Sequence, residues 1–222
     1  MKNTIEFFCS NELVDYKKSI KLMEQRVKKI NDNTESELLW FLEHPSVYTA
    51  GTSSKEKDLL NKNLLPVFKT NRGGEYTYHG PGQRVAYVML DVRRRNYNVK
   101  SYIRLLEQWL INSLMEIGIK SYLIKDKIGI WVMNDKKNNC EEKIGSLGLR
   151  IRKGVSYHGI SLNINPNIDH FSGIVPCGNE GSGVTSIEKI GVKISKNKFD
   201  NILISNFEKI FKIKIKSIQT LS

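Results

Sequence analysis

Residues Lys143–Ile164 read KIGSLGLRIRKGVSYHGISLNI. Leu147, Leu149 and Ile151 alternate with small or charged residues, and the alternation resumes at Tyr157 after Arg152-Lys153-Gly154. A period of two on both sides of a Lys-Gly step predicts a β-hairpin turning at Lys153-Gly154. On the returning strand, His158, Ile160, Leu162 and Ile164 are expected to share one face. Gly145, Ser146 and Gly148 on the outgoing strand would leave space above it for a ligand.

Outward from this hairpin the chain mixes helical and extended patterns. Tyr16, Ile20, Met23, Val27 and Ile30 recur at spacings of four and three, predicting an amphipathic helix over 13–30. The apolar run 37–42, closed by Glu43-His44-Pro45, reads as a buried strand, with others at 47–50, 67–70 and 129–133. The polar stretch 51–65 reads as a surface loop or short helix. Ile103, Leu106, Leu110, Leu114 and Ile117 mark a second helix capped near Gly118, and Phe199, Leu203, Phe207 and Ile210 a third. There is no strict βαβ alternation and no internal repeat. The expected fold class is therefore α/β: a mixed sheet flanked by helices, one domain over 1–222, with 189–222 as a candidate C-terminal appendage.

The 222 residues are enough for one substantial core, and no apolar run is long enough to cross a bilayer. The N-terminal residues lack the order of a signal peptide, so a soluble, cytoplasmic protein is expected, with no membrane partner. Three cysteines, at 9, 140 and 177, are too scattered for a disulfide framework, and no Cys or His pair has zinc-ligand spacing. The net charge of +12 suits either a nucleic acid or an acidic protein partner. Lys, Asn and Ile are abundant throughout, as in Phe211-Lys-Ile-Lys-Ile-Lys216, so a compositional bias explains the charge equally well.

Chemistry concentrates in two glycine-rich segments, Arg72–Gln83 and Val175–Ser186, whose backbones can approach a ligand closely or simply turn. Neither matches a nucleotide-binding fingerprint. Cys177, between Pro176 and Gly178, is placed to present a thiol; Cys9 and Cys140 have no such surroundings. Lys143 immediately precedes the small-residue strand. His79 and His158 each precede a glycine, which fits a pocket lining or a structural hydrogen bond; His44 reads as structural and His170 as exposed.

Five ordered blocks carry a resemblance. Glu43–Gly51 (EHPSVYTAG), Arg72–Gln83 (RGGEYTYHGPGQ), Lys143–Arg150 (KIGSLGLR), Tyr157–Asn163 (YHGISLN) and Ile174–Gly178 (IVPCG) with Gly183–Ser186 (GVTS) together resemble the lipoyl(octanoyl) transferases. The resemblance implies a catalytic domain like that of the biotin and lipoate protein ligases. It implies transfer of octanoyl from octanoyl-acyl carrier protein to a lysine of lipoyl domains of 2-oxoacid dehydrogenases or of the glycine-cleavage H protein. It aligns Cys177 with the nucleophile and Lys143 with the residue that lowers its pKa. The substrate-enclosing positions it implies are Arg72, Gly73, Gly74 and Glu75, then Tyr76, Thr77, Tyr78 and His79; Ser146, Leu147 and Gly148; and Gly159, Ile160 and Ser161.

The chemistry so implied is coherent. A thiolate attacks the donor thioester, and one thioester replaces another without ATP, metal or other cofactor. Lys143, or a water it orients, could then relay the proton of the acceptor amine. The competing expectations are an ATP-dependent lipoate or biotin ligase of the same fold, which needs no thiol, and a basic nucleic-acid-binding module, which no motif supports.

Overall fold

The computed structural model describes residues 4–134, 140–175 and 183–220. Its hairpin consists of β9 (Cys140–Arg152) and β10 (Val155–Asn163), paired antiparallel with Lys153 and Gly154 both at positive φ in the turn. Around it the remaining strands are β1 (Thr4–Cys9), β2 (Leu38–Leu42), β6 (Gln83–Met89), β7 (Ser121–Ile124), β8 (Lys127–Asn134), β11 (Gly183–Val184) and β12 (Lys214–Ser217). Together they form a mixed sheet of order β12-β1-β2-β6-β10-β9-β8-β7, with β11 added to β9. A smaller sheet, β4 (Val67–Lys69), β3 (Val47–Ala50) and β5 (Tyr76–His79), is built in the order β4-β3-β5.

Alternation along β2 and β6 separates two cores on opposite faces of the large sheet. Leu38, Trp40, Leu42, Val85, Tyr87 and Met89 face α1 (Tyr16–Asn31), whose Met23, Val27 and Ile30 are buried against them. Leu39, Phe41, Ala86 and Val88 face α2 (Val99–Met115) and α4 (Lys196–Phe211). Asp15, Asn98 and Ser195 cap these three helices by accepting from backbone N–H groups in the first turn. The short α3 (Ile187–Ile190) precedes α4, which is tied to the sheet by Asp200 gripping the fully buried Arg84 of β6 through two 2.8 Å hydrogen bonds. The mixed sheet with flanking helices is the expected fold class.

Three local expectations need correction. The segment Arg72–Gln83, read as a glycine-rich connection, contains β5. The tail beyond α4, for which no element was expected, holds the edge strand β12 at Lys214–Ser217, in parallel register with β1. His158 leaves the face shared by Ile160, Leu162 and Ile164: its φ of 59° swings the ring onto Tyr157 and Tyr87, on the α1 side. A non-glycine residue in that region is uncommon and re-aims the side chain.

Candidate active site

The small sheet lies over the end of the hairpin, and Arg72 fixes the connection before β5. Its guanidinium donates to the Thr49 carbonyl and hydroxyl and to the Glu75 and Gly73 carbonyls, at 2.7–3.1 Å. The Gly73 N–H donates to the Leu149 carbonyl of β9 at 2.9 Å, joining the two sheets. Between them is a cavity of about 720 Å³, within the range of small-molecule sites.

Arg72, Gly73, Gly74, Glu75, Thr77 and His79 line this cavity, as do Ser146, Leu147, Gly148, Gly159, Ile160 and Ser161. Tyr76 and Tyr78 do not. Strand alternation turns them to the other side of β5, where they pack with Tyr48, Phe171 and Ile174 while Thr77 and His79 face the cavity. His170 also departs from expectation: it is half-buried, with Nδ1 3.0 Å from the Tyr78 hydroxyl. Gly145 leaves no ligand space, since an added Cβ would stand 2.9 Å from Leu162 Cδ1.

Further lining residues were not singled out from the sequence. Tyr16 was counted on the apolar face of α1, but it begins the helix, lines the cavity and stacks on His79 with ring centroids 6.0 Å apart. Tyr87 of β6 and Tyr102 and Ile103 of α2 complete other walls. A hydroxyl-bearing aromatic at a helix start was the available signal for Tyr16; the α2 residues carry none, being indistinguishable from core positions.

Burial dominates the electrostatics of the polar wall. His44 Nδ1 lies 2.6 Å from the Val14 carbonyl and its Nε2 2.7 Å from the Tyr87 hydroxyl. The carbonyl can only accept, so Nδ1 holds the proton and Nε2 receives the Tyr87 O–H. Burial lowers its pKa to about 4. His158, held 3.1 Å from Asn71 Oδ1, is lowered to about 3 by burial and then by Arg72 and Arg150. His79 is pushed well below the ordinary histidine value by burial and then by His44. Burial pushes the Tyr16 and Tyr87 hydroxyls up. These rings and hydroxyls are neutral at neutral pH.

Lys143 lies on β9 outside the cavity lining and is 4% exposed. Its Nζ sits 5.5 Å from the centre of the Trp131 ring, a cation–π arrangement. Gly129 makes room for it: a Cβ there would meet Lys143 Cε at 2.1 Å. β11 docks in parallel beside this residue, Val184 opposite Lys143, and the Thr185 N–H donates to the Lys143 carbonyl at 2.9 Å. Upstream, the Val175 N–H donates to the Asp58 carbonyl at 2.8 Å. Cys177 falls between these anchors, outside the described residues. Of the other thiols, Cys140 is exposed, and Cys9 is half-buried with its pKa raised by burial.

With this geometry in place, comparison with known proteins is specific. The family described as the lipoyl protein ligase A/B catalytic domain matches residues 15–208. An octanoyltransferase of Anaplasma phagocytophilum is 50% identical over 208 residues, 93% of this chain and 99% of that one. One from Wolbachia sp. subsp. Brugia malayi is 48% identical over 93% of this chain and 100% of its own. Among solved structures, a putative lipoate protein ligase from T. acidophilum superposes with a TM-score of 0.72 at 17% identity, covering 99% of this chain and 89% of that one. A biotin protein ligase from Aquifex aeolicus gives 0.53 at 12% identity, covering 93% and 69%. The last two speak to the fold. The family match and the near-complete alignments speak to descent, and by them the chain belongs to the lipoyl protein ligase A/B catalytic-domain family, among its octanoyltransferases.

Proposed function

We propose that the protein moves an octanoyl group from octanoyl-acyl carrier protein to a lysine of lipoyl domains, through a thioester on Cys177. The cytoplasm is the proposed setting. The observation that carries the reading is the docking of β11 against Lys143, which ties the chain just after the Cys177 segment to a buried lysine. In the first half-reaction the Cys177 thiolate attacks the donor carbonyl and the carrier's thiol leaves. Cysteine is a few per cent ionised near neutrality at an unperturbed pKa of about 8.5, so a nearby cation raises the reactive fraction. Lys143 fills that role. In the second half-reaction the acceptor amine attacks the thioester and releases the enzyme thiol. The apolar stretch of cavity wall at Leu147 and Ile160 suits an acyl chain, whose burial contributes about 0.8 kcal/mol per CH₂. The net charge of +12 favours encounter with acidic carrier and acceptor domains.

Intact-protein mass spectrometry after incubation with octanoyl-acyl carrier protein tests this reading. The native chain gains one octanoyl group without ATP; Cys177→Ser gains none, and Lys143→Ala acquires it about tenfold more slowly or worse. An adduct that survives Cys177→Ser, or that maps to Cys9 or Cys140, sinks the assignment.

A further inference from the structure

Ile130 and Val132 of β8 are buried in the apolar core on the α2 side, so strand alternation turns Lys127, Gly129 and Trp131 to the other face. β9 meets that face through a bulge. Ile130 pairs with Gly145 but Trp131 pairs with Lys143, which leaves Ile144 as one extra residue. Ile144 belongs to the α2-side core, and a Cβ on Gly145 would meet Leu162 of the same core. The bulge thus gives two consecutive positions to that side and brings Lys143 to the face of Trp131. The lysine stem passes over bare Gly129, and its Nζ ends 5.5 Å from the centre of the indole. The indole is itself fixed, because its Nε1 donates to the Lys127 carbonyl at 3.2 Å. Trp131 is almost fully buried, yet among the described residues it joins none of the three apolar clusters.

The other charged groups on this face of the two strands are Lys127, whose Nζ is also 5.5 Å from the ring centre, and Glu141, 3.6 Å from Lys127. Glu142 is on the opposite face, where it accepts from Asn134 at 2.7 Å. β11 brings only Gly183 and Val184 beside the lysine, neither of them charged. An aromatic face attracts a cation through its quadrupole and carries no net charge of its own. We propose that Trp131 is a positioning residue for the thiol chemistry: its ring holds the Lys143 ammonium in place without cancelling its charge, and the ionised fraction of Cys177 depends on that hold. This rests on the reading above in which Lys143 acts on Cys177. A carboxylate in place of the ring would grip the lysine and neutralise its field. An aliphatic side chain would fill the space and leave the ammonium unplaced.

The readout is the pH at which Cys177 becomes reactive. Alkylation by iodoacetamide is followed as a function of pH, and peptide mass mapping separates Cys177 from Cys9 and Cys140. In Trp131→Leu the Cys177 inflection moves up by about one pH unit, about a tenfold loss of thiolate near neutrality. Octanoyl-enzyme formation slows by the same factor there and approaches the native rate once the thiol is ionised. Trp131→Phe, which keeps a ring face, retains most of the native behaviour. On a Lys143→Ala background, Trp131→Leu produces no further shift. If Trp131→Leu does not fold, a ring-fluorinated tryptophan introduced at position 131 keeps the shape, weakens the quadrupole and raises the inflection by a smaller amount. A rate lowered equally at every pH, Phe and Leu variants that behave alike, an undiminished shift on the Lys143→Ala background, or an inflection unmoved by fluorination would overturn the role. Failure of the underlying reading looks different: the native chain would form no octanoyl adduct on Cys177, or Lys143→Ala alone would leave the Cys177 inflection at its native place.

Discussion

Gly129 shows how much one missing side chain can decide. Its φ of 133° is strained for any L residue, and a Cβ would occupy the space of Lys143 Cε and approach the Gly145 carbonyl to 2.9 Å. Gly129→Ala is therefore expected to cost about 1–3 kcal/mol in stability and to displace the Lys143 ammonium. Acyl-enzyme formation should slow by about tenfold or more, through loss of thiolate. Stopped-time mass spectrometry beside a thermal melt checks this, and a destabilised variant that acylates at the native rate would dissociate Gly129 from the chemistry. Arg72 illustrates the opposite economy. A charged residue at a cavity wall invites a substrate contact, yet its guanidinium is directed to the carbonyls of Thr49, Gly73 and Glu75 and shapes the cavity through the backbone.

At the scale of elements, α4 is joined to the sheet by the Arg84–Asp200 pair as well as by Phe199, Leu203 and Phe207. Removing the carboxylate in Asp200→Ala leaves a buried cation with no counter-charge, and urea unfolding should report a loss of about 3–5 kcal/mol. Arg84→Leu combined with Asp200→Leu should recover much of it, because breaking a buried pair is worse than replacing it. A small single-mutant effect would mean that solvent reaches Arg84. Elements with unbroken periodicity were legible in the sequence: α1, α2, α4 and the β9–β10 hairpin all lie close to their expected ranges. β12 was not, because alternating Lys and Ile on a half-buried edge looks like composition. His158 was misassigned because a positive φ leaves no trace in a hydrophobic pattern. Blocks of residues marked most of the cavity wall, but could not separate Tyr76 and Tyr78 from Thr77 and His79 before β5 was known to be a strand.

For the molecule as a whole, the neutral buried histidines set an acid limit. Unfolded histidine titrates near 6.5, whereas His44 titrates at about 4 and His158 at about 3 when folded. Above pH 6.5 neither state binds the proton and stability is unaffected. As pH falls through 6.5 towards 4, the unfolded chain takes up protons that the folded one refuses, so stability declines, by about 3 kcal/mol from His44 alone. Urea unfolding at pH 7.5, 5.5 and 5 should show about two thirds of this fall by pH 5, while ordinary carboxylates are still largely ionised, and His44→Gln should reduce it. A curve level between pH 7 and 5 would contradict the burial assigned to these rings.

β9 ties two parts of the site together. Near its start the Lys143 carbonyl receives Thr185, and near its end the Leu149 carbonyl receives Gly73. Six residues at about 3.3 Å each separate the two carbonyls, so the strand is a ruler of about 20 Å with a fixed mark at either end. An extended backbone has no slack to give. Whatever lies along the cavity is gauged against that length, and a relative with a different measure would have to add or remove whole pleats, two residues at a time, to keep the same side chains facing inward.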